Sequence, residues 1–125
     1  MAANSPIKAM PEAEAAYQTA LTALHCSHDN LDAITNASPV DWDAYNEGLE
    51  TCASCQEAAQ AAESVLQAAI LNTPAVQDLI RTLKSNTQAM NQCAAALDKT
   101  ATMFNKLAKV ADTVTSVLGA ILKYI

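Results

Sequence analysis

The chain has 125 residues, the usual size of a single domain. Hydrophobic residues make up 51% of the sequence and charged residues 16%, a balance that excludes an intrinsically disordered chain. Aromatic residues are only 4% and there are two glycines, so the chain lacks the strand and turn residues of an all-β protein. Alanine and leucine are the most frequent residues and favour helices, which predicts an all-α fold.

The net charge of −6 argues against a general affinity for nucleic acid or anionic membranes. The charge is unevenly distributed. Residues 1–72 carry ten acidic residues and one lysine, whereas residues 73–125 carry six basic and three acidic residues. We interpret this as an acidic part that packs on a basic part, with a binding site for a charged partner as the alternative.

The first helix is predicted over residues 11–36, because Pro11 is followed by two acidic residues that suit a helix N-terminus. The segment before it has no apolar run and is unlike a secretory signal. We therefore expect a flexible N-terminus over residues 1–10 and one helical bundle domain over residues 11–125. The predicted core face of this helix consists of Tyr17, Leu21, Leu24, His28, Leu31 and Thr35.

The second helix is predicted over residues 39–72. Ser38 supplies a hydroxyl cap, Pro39 suits the first helical position, and Asp41 favours the first turn. Its predicted core face consists of Tyr45, Leu49, Cys52, Ala59, Leu66 and Ile70, flanked by Cys55 and Ala62.

The third helix is predicted to begin at Pro74, with Thr73 as its cap, and to continue to residue 125. A coiled-coil-like pattern supports one long helix, since apolar residues recur every seven positions: Val76, Leu83, Met90, Leu97, Phe104, Ala111, Leu118 and Ile125. The sequence thus predicts an antiparallel bundle of three long helices with an extended C-terminal helix.

The third helix would extend beyond the second by roughly 18 residues, and this apolar extension needs a cover. We predict that a second copy or another protein's helix covers it, which makes the chain a homo-oligomer or part of a mixed bundle. The predicted partner-binding residues are Phe104, Leu107, Val114, Leu118, Ile121, Leu122 and Ile125. The alternative is a break near residues 98–105 that folds the chain into a compact up-down four-helix bundle.

Three cysteines and one histidine suggest a second possible function. Counting residues outward from the two predicted turns places these four side chains at the same level along the axis of the bundle. Together they would suit zinc, or copper(I) through the thiolates. The candidate ligands are His28, Cys52, Cys55 and Cys93. The competing interpretations are that the cysteines pack as small core residues or that Cys55 and Cys93 form a disulfide.

Catalytic motifs and glycine-rich phosphate loops are absent from the sequence, so we expect neither an enzyme nor a cofactor. The sequence predicts a helical protein–protein interaction module, with a thiol-based zinc or copper binding or storage bundle as the alternative. The expected location is the cytoplasm, without a transmembrane segment. A basic amphipathic stretch could contact a membrane surface instead of an acidic helix; its lysines are Lys99, Lys106 and Lys109.

Overall fold

The computed structural model describes residues 5–125, and within them the chain forms four α-helices: α1 (Pro11–Thr35), α2 (Trp42–Gln67), α3 (Pro74–Ala95) and α4 (Ala101–Leu122). The helices pack against one another, which confirms the predicted all-α bundle. The single helix predicted over residues 74–125 is wrong, because α3 and α4 are separate helices. The chain forms four helices, as in the alternative prediction, but the break lies at residues 96–100 and the consecutive helices α2 and α3 are not neighbours.

The break between α3 and α4 is made by polar side chains. Thr100 is the N-cap of α4, and its hydroxyl oxygen accepts a hydrogen bond from the backbone N–H of Met103 at 3.3 Å. The carboxylate of Asp98 accepts bonds from the backbone N–H of Thr100 at 2.9 Å and from its hydroxyl at 2.6 Å. Such local bonds compete with the helical backbone pattern, so the helix ends here without glycine or proline.

The start of α2 lies three residues later than predicted. The cap is Asp41, whose carboxylate accepts a hydrogen bond from the backbone N–H of Ala44 at 3.1 Å, and not Ser38. The helix also ends earlier, at Gln67. The predicted cap of α3 is confirmed, since the hydroxyl oxygen of Thr73 accepts a hydrogen bond from the backbone N–H of Val76.

The four helices occupy the corners of a square. α1 packs against α2 and α3, α4 packs against the same two helices, and α2 and α3 lie at opposite corners. α2 and α4 run in the same direction. The Thr51 hydroxyl in the first half of α2 donates to the Phe104 carbonyl near the start of α4, and beyond the ends of both helices the Leu71 N–H donates to the Tyr124 carbonyl at 2.8 Å. The connection over residues 68–73 therefore crosses from one corner to the opposite one.

The segment before α1 is attached to this connection. Ile7 and Ile70 exchange two backbone hydrogen bonds, of 2.7 and 2.9 Å, and Met10 is buried. This part of the segment that we expected to be flexible is therefore packed on the bundle. Residues 1–4, which belong to the same prediction, lie outside the described residues.

Small side chains fill the interface between α1 and α2. The buried residues of α1 are Ala13, Ala16, Ala20, Ala23, Ser27, Leu31 and Ile34, and those of α2 are Ala44, Gly48, Thr51, Cys52, Cys55, Ala58, Ala59, Ala62 and Val65. The predicted core face of α1 was therefore misassigned, since only Leu31 of it is buried. That of α2 is largely confirmed, because Leu49 is its one exposed member. Tyr17 and Leu24 are only half-buried and Leu21 is exposed. Small residues permit close helix packing and leave the larger ones at its rim.

The seven-residue pattern of the C-terminal half predicts the core there. Val76, Leu83 and Met90 are buried on α3, and Phe104, Ala111 and Leu118 are buried on α4. Leu97 in the break is half-buried and Ile125 is exposed. None of the helices within residues 5–125 combines the length and apolarity that a membrane span requires.

Candidate interaction surface

The predicted partner-binding residues of the C-terminal helix are used mainly inside the chain. Five of them are fully buried, namely Phe104, Leu107, Val114, Leu118 and Ile121. Leu122 is half-buried, and Ile125 is 73% exposed. The fold-back at residues 96–100 removes the uncovered extension, because α3 and α2 now cover the apolar face of α4.

The predicted metal ligands lie in different environments. His28 is exposed, whereas Cys52, Cys55 and Cys93 are buried. Cys93 is on α3, at the opposite corner from the helix that carries the other two cysteines. Residues 5–125 contain no group of three or more His, Cys, Asp and Glu side chains arranged to hold a metal ion. The zinc or copper site gains no support from these positions.

Burial keeps the thiol of Cys55 protonated. Burial raises its pKa to about 12, and the nearby Cys52 adds to the rise, while the hydroxyl of Ser27 opposes it. Burial also raises the pKa of Cys52 above its ordinary value. The thiolate is the form that binds metals and attacks electrophiles, so burial disfavours the reactive form of both thiols while the bundle is folded. No disulfide joins the four cysteines.

A groove of about 460 Å³ lies between α3 and α4. It is shallow and open, and its lining residues are Ala75, Asp78, Leu79, Thr82, Ala120, Lys123 and Tyr124. The carboxylate of Asp78 is paired with Arg81 on the same helix.

The most exposed aromatic side chain of the bundle lies at the start of α2. Trp42 is 62% exposed and its ring meets that of Tyr45 edge to face, with centroids 5.6 Å apart. Leu49, which is 46% exposed, follows on the same helix. Positions three and four apart share one helical face, so these three residues form a continuous apolar row, here called the tryptophan stripe.

The fold positions the tryptophan stripe rigidly. Asp41 caps the helix immediately before Trp42, and Val40 and Tyr45 pack on a buried cluster at this end of the bundle, as in a hydrophobic staple. The next turn is held against α1 and α4, where Gly48 lies close to Leu31 and Phe104. The indole of Trp42 thus projects from an anchored backbone.

Acidic residues outnumber basic ones around the tryptophan stripe; a basic residue at this end of the bundle is Lys99, which lines a small concavity with Asp41. α1 and α2 contain no lysine or arginine, and the chain has none between Lys8 and Arg81. The acidic residues of these two helices are Glu12, Glu14, Asp29, Asp32, Asp43, Glu47, Glu50, Glu57 and Glu63. Asp43 follows Trp42 directly, and Glu50 follows Leu49.

Sequence reasoning missed this surface, since it assigned Tyr45 and Leu49 to the core face of α2. The alanines of α1, spaced alternately by three and four residues, are the signal that could have identified the true interface. Comparison of the chain with protein-family models, with curated proteins and with solved structures found no match.

Proposed function

We propose that the chain is a non-enzymatic protein-interaction module that binds a partner helix through the tryptophan stripe. The observation that carries this proposal is the exposure of Trp42 beside Leu49 on a rigid helix. Tryptophan and tyrosine dominate the energetics of protein interfaces, because they bury a large area at a low cost in side-chain entropy. The interaction surface is therefore moved from the C-terminal helix, whose apolar residues fill the core, to α2.

The test uses the only tryptophan of the chain as a reporter at the proposed site. A designed amphipathic helix with leucines on one face and uncharged glutamines on the other is titrated into the full chain. Binding at the tryptophan stripe removes water from the indole of Trp42 and shifts its emission to shorter wavelength. Absence of a saturable shift contradicts the proposal.

A matched pair of variants localises the binding. Leu49→Ser removes an apolar contact from the tryptophan stripe, whereas Leu71→Ser removes an equally exposed leucine from the other end of the bundle; their exposures are 46% and 48%. Both residues are at the surface, so each variant is expected to retain the fold. We expect Leu49→Ser to weaken binding and Leu71→Ser to leave it unchanged. Equal affinities would place the contact elsewhere.

Self-association is tested separately, because the homo-oligomer predicted from the sequence remains a prediction. Sedimentation velocity over a wide range of concentrations gives the mass of the chain without added peptide. If the partner is a second copy bound through the tryptophan stripe, the mass rises with concentration and Trp42→Ala abolishes the rise. A constant monomer mass indicates that the partner helix belongs to another protein.

A further inference from the structure

We propose that the partner segment is a cationic amphipathic helix of a different protein, with lysine or arginine flanking its apolar face. This inference rests on the proposed function and adds the chemistry of the partner. It follows from the combination of an exposed apolar row with two helices, α1 and α2, that carry many carboxylates and no lysine or arginine.

The shape of the tryptophan stripe suits a helix. Trp42, Tyr45 and Leu49 span two turns of α2, about 10 Å along its axis. A partner helix that presents apolar residues at intervals of three, four and seven can place two or three of them against such a row. Tyr45, in the middle of the row, is half-buried. The indole of Trp42 and the side chain of Leu49, at the two ends of the row, are more exposed to solvent.

The charge of the surroundings selects among amphipathic helices. Asp43 and Glu50 are exposed and follow the first and last residues of the tryptophan stripe in the sequence, and α1 and α2 contain no lysine or arginine to neutralise them. Neither residue has an ion-pair partner within residues 5–125. A partner with basic flanks would pair with these carboxylates and be steered toward them, whereas an acidic partner would be repelled.

The acidic residues near the tryptophan stripe also disfavour two other binding partners, a second copy of the chain and an anionic membrane. A symmetric dimer would bring identical patches together and would place the carboxylates of both copies face to face. An anionic membrane surface would be repelled by the acidic helices in the same way. Apart from Lys8, the lysines and the arginine, which could contact such a membrane, lie on α3, on α4, in the connection between them and directly after α4.

The experiment compares three designed helices with the same leucine face and with lysine, glutamine or glutamate on the other face. Binding to the full chain is followed by the emission of Trp42 at low and high salt. We expect the lysine helix to bind on the order of tenfold more tightly than the glutamine helix at low salt, and the glutamate helix to bind most weakly. High salt screens exposed charges and should reduce these differences.

Charge-neutralised variants identify the carboxylates responsible. In Asp43→Asn/Glu50→Gln the preference for the lysine helix should fall several-fold, while the affinity for the glutamine helix is unchanged. The control is Glu57→Gln/Glu63→Gln, which changes the net charge equally at two exposed positions further along α2. A preference that falls equally in both variants reflects only the total charge and overturns the assignment to Asp43 and Glu50.

The remaining outcomes separate this inference from the proposed function. If the glutamine helix binds and the lysine helix binds no better, the interaction surface stands and the cationic partner is wrong. If no helix shifts the emission of Trp42, both proposals fail. If the chain alone forms a dimer that Trp42→Ala dissociates, the occupant is a second copy and the present inference is wrong.

Discussion

The two glycines of the chain provide a direct test of how closely the helices pack. Both lie inside helices, Gly48 in α2 and Gly119 in α4. A Cβ added to Gly48 would lie 2.6 Å from Cδ2 of Leu31, 3.2 Å from its Cγ and 3.1 Å from Cζ of Phe104. A Cβ added to Gly119 would meet no atom within 4 Å. The same substitution by alanine should therefore have opposite effects at the two positions.

The magnitudes follow from two opposing contributions. Replacing glycine by alanine inside a helix stabilises the helix by about 1 kcal/mol. At Gly119 nothing opposes this gain, so the free energy of unfolding should rise by about 0.5–1 kcal/mol. At Gly48 the methyl group must displace Leu31 and Phe104, and overpacking of a filled core costs about 1–3 kcal/mol. The net result at Gly48 is a loss of up to about 2 kcal/mol.

The assay is urea unfolding of both variants and the parent, followed by far-ultraviolet circular dichroism. Adding Leu31→Val to Gly48→Ala shortens the side chain that lies nearest to the new methyl group. The double mutant should therefore be more stable than the sum of the two single effects predicts. Equal stabilisation by both glycine replacements, or additive behaviour of the double mutant, would refute the close approach of α1, α2 and α4 at Gly48.

Three further predictions concern single side chains. Thr51→Val should lower the free energy of unfolding by about 1 kcal/mol, as measured by urea unfolding, because it removes the buried hydroxyl that donates to the Phe104 carbonyl at 2.7 Å; unchanged stability would contradict this. Hydrogen bonds from the hydroxyl and backbone N–H of Thr100 lower the pKa of Asp98, so its carboxylate stabilises the fold above about pH 4 and this contribution is lost as the pH falls through the folded-state pKa. Thermal melts of Asp98→Asn should show lower stability than the parent at neutral pH and converge with it in acid, and a constant difference would contradict this. Iodoacetamide at pH 8 should leave Cys55 unmodified in the folded chain, as mass spectrometry would show, and rapid labelling without unfolding would contradict the burial that raises its pKa.

The start signal at Ser38 and Pro39 failed, because Asp41 caps α2 instead, but other boundaries were predictable where a proline or a hydroxyl cap coincides with a change in the apolar pattern. Thr73 and Pro74 are such a case, and α1 begins at Pro11 as predicted. The break near Asp98 was foreseen only as an alternative, because the seven-residue pattern continues across it and no glycine or proline interrupts it. Energetically, the side-chain bonds around Thr100 and the coverage of the apolar face of α4 outweigh a few lost helical bonds.

The interface between α1 and α2 was the least predictable part of the bundle. Ranking residues by size places Tyr17, Leu21 and Leu24 in the core. Considered alone, burial of a large apolar side chain is more favourable than burial of an alanine. The chain instead buries alanines, and the large side chains lie toward the rim. Close packing of two backbones adds many small dispersion contacts, whose sum depends on the shape of both helices and cannot be read from either helix alone.

This choice of small residues also accounts for the exposure of the tryptophan stripe. Gly48 and Ala44 bring α2 so close to its neighbours that no space remains for a large side chain on the inner face at this level. The large residues of the first turns of α2 must then lie at the rim or on the outer face, where Tyr45 is half-buried and Trp42 and Leu49 stay in contact with water. A hydrophilic residue at position 42 would be compatible with the same packing, because the cap at Asp41 and the contacts of Tyr45 do not require an indole. Trp42→Gln should therefore cost the isolated bundle less than about 0.5 kcal/mol in urea unfolding and abolish helix binding. A large loss of stability would instead assign Trp42 a structural role and remove the main reason to place the interaction surface there.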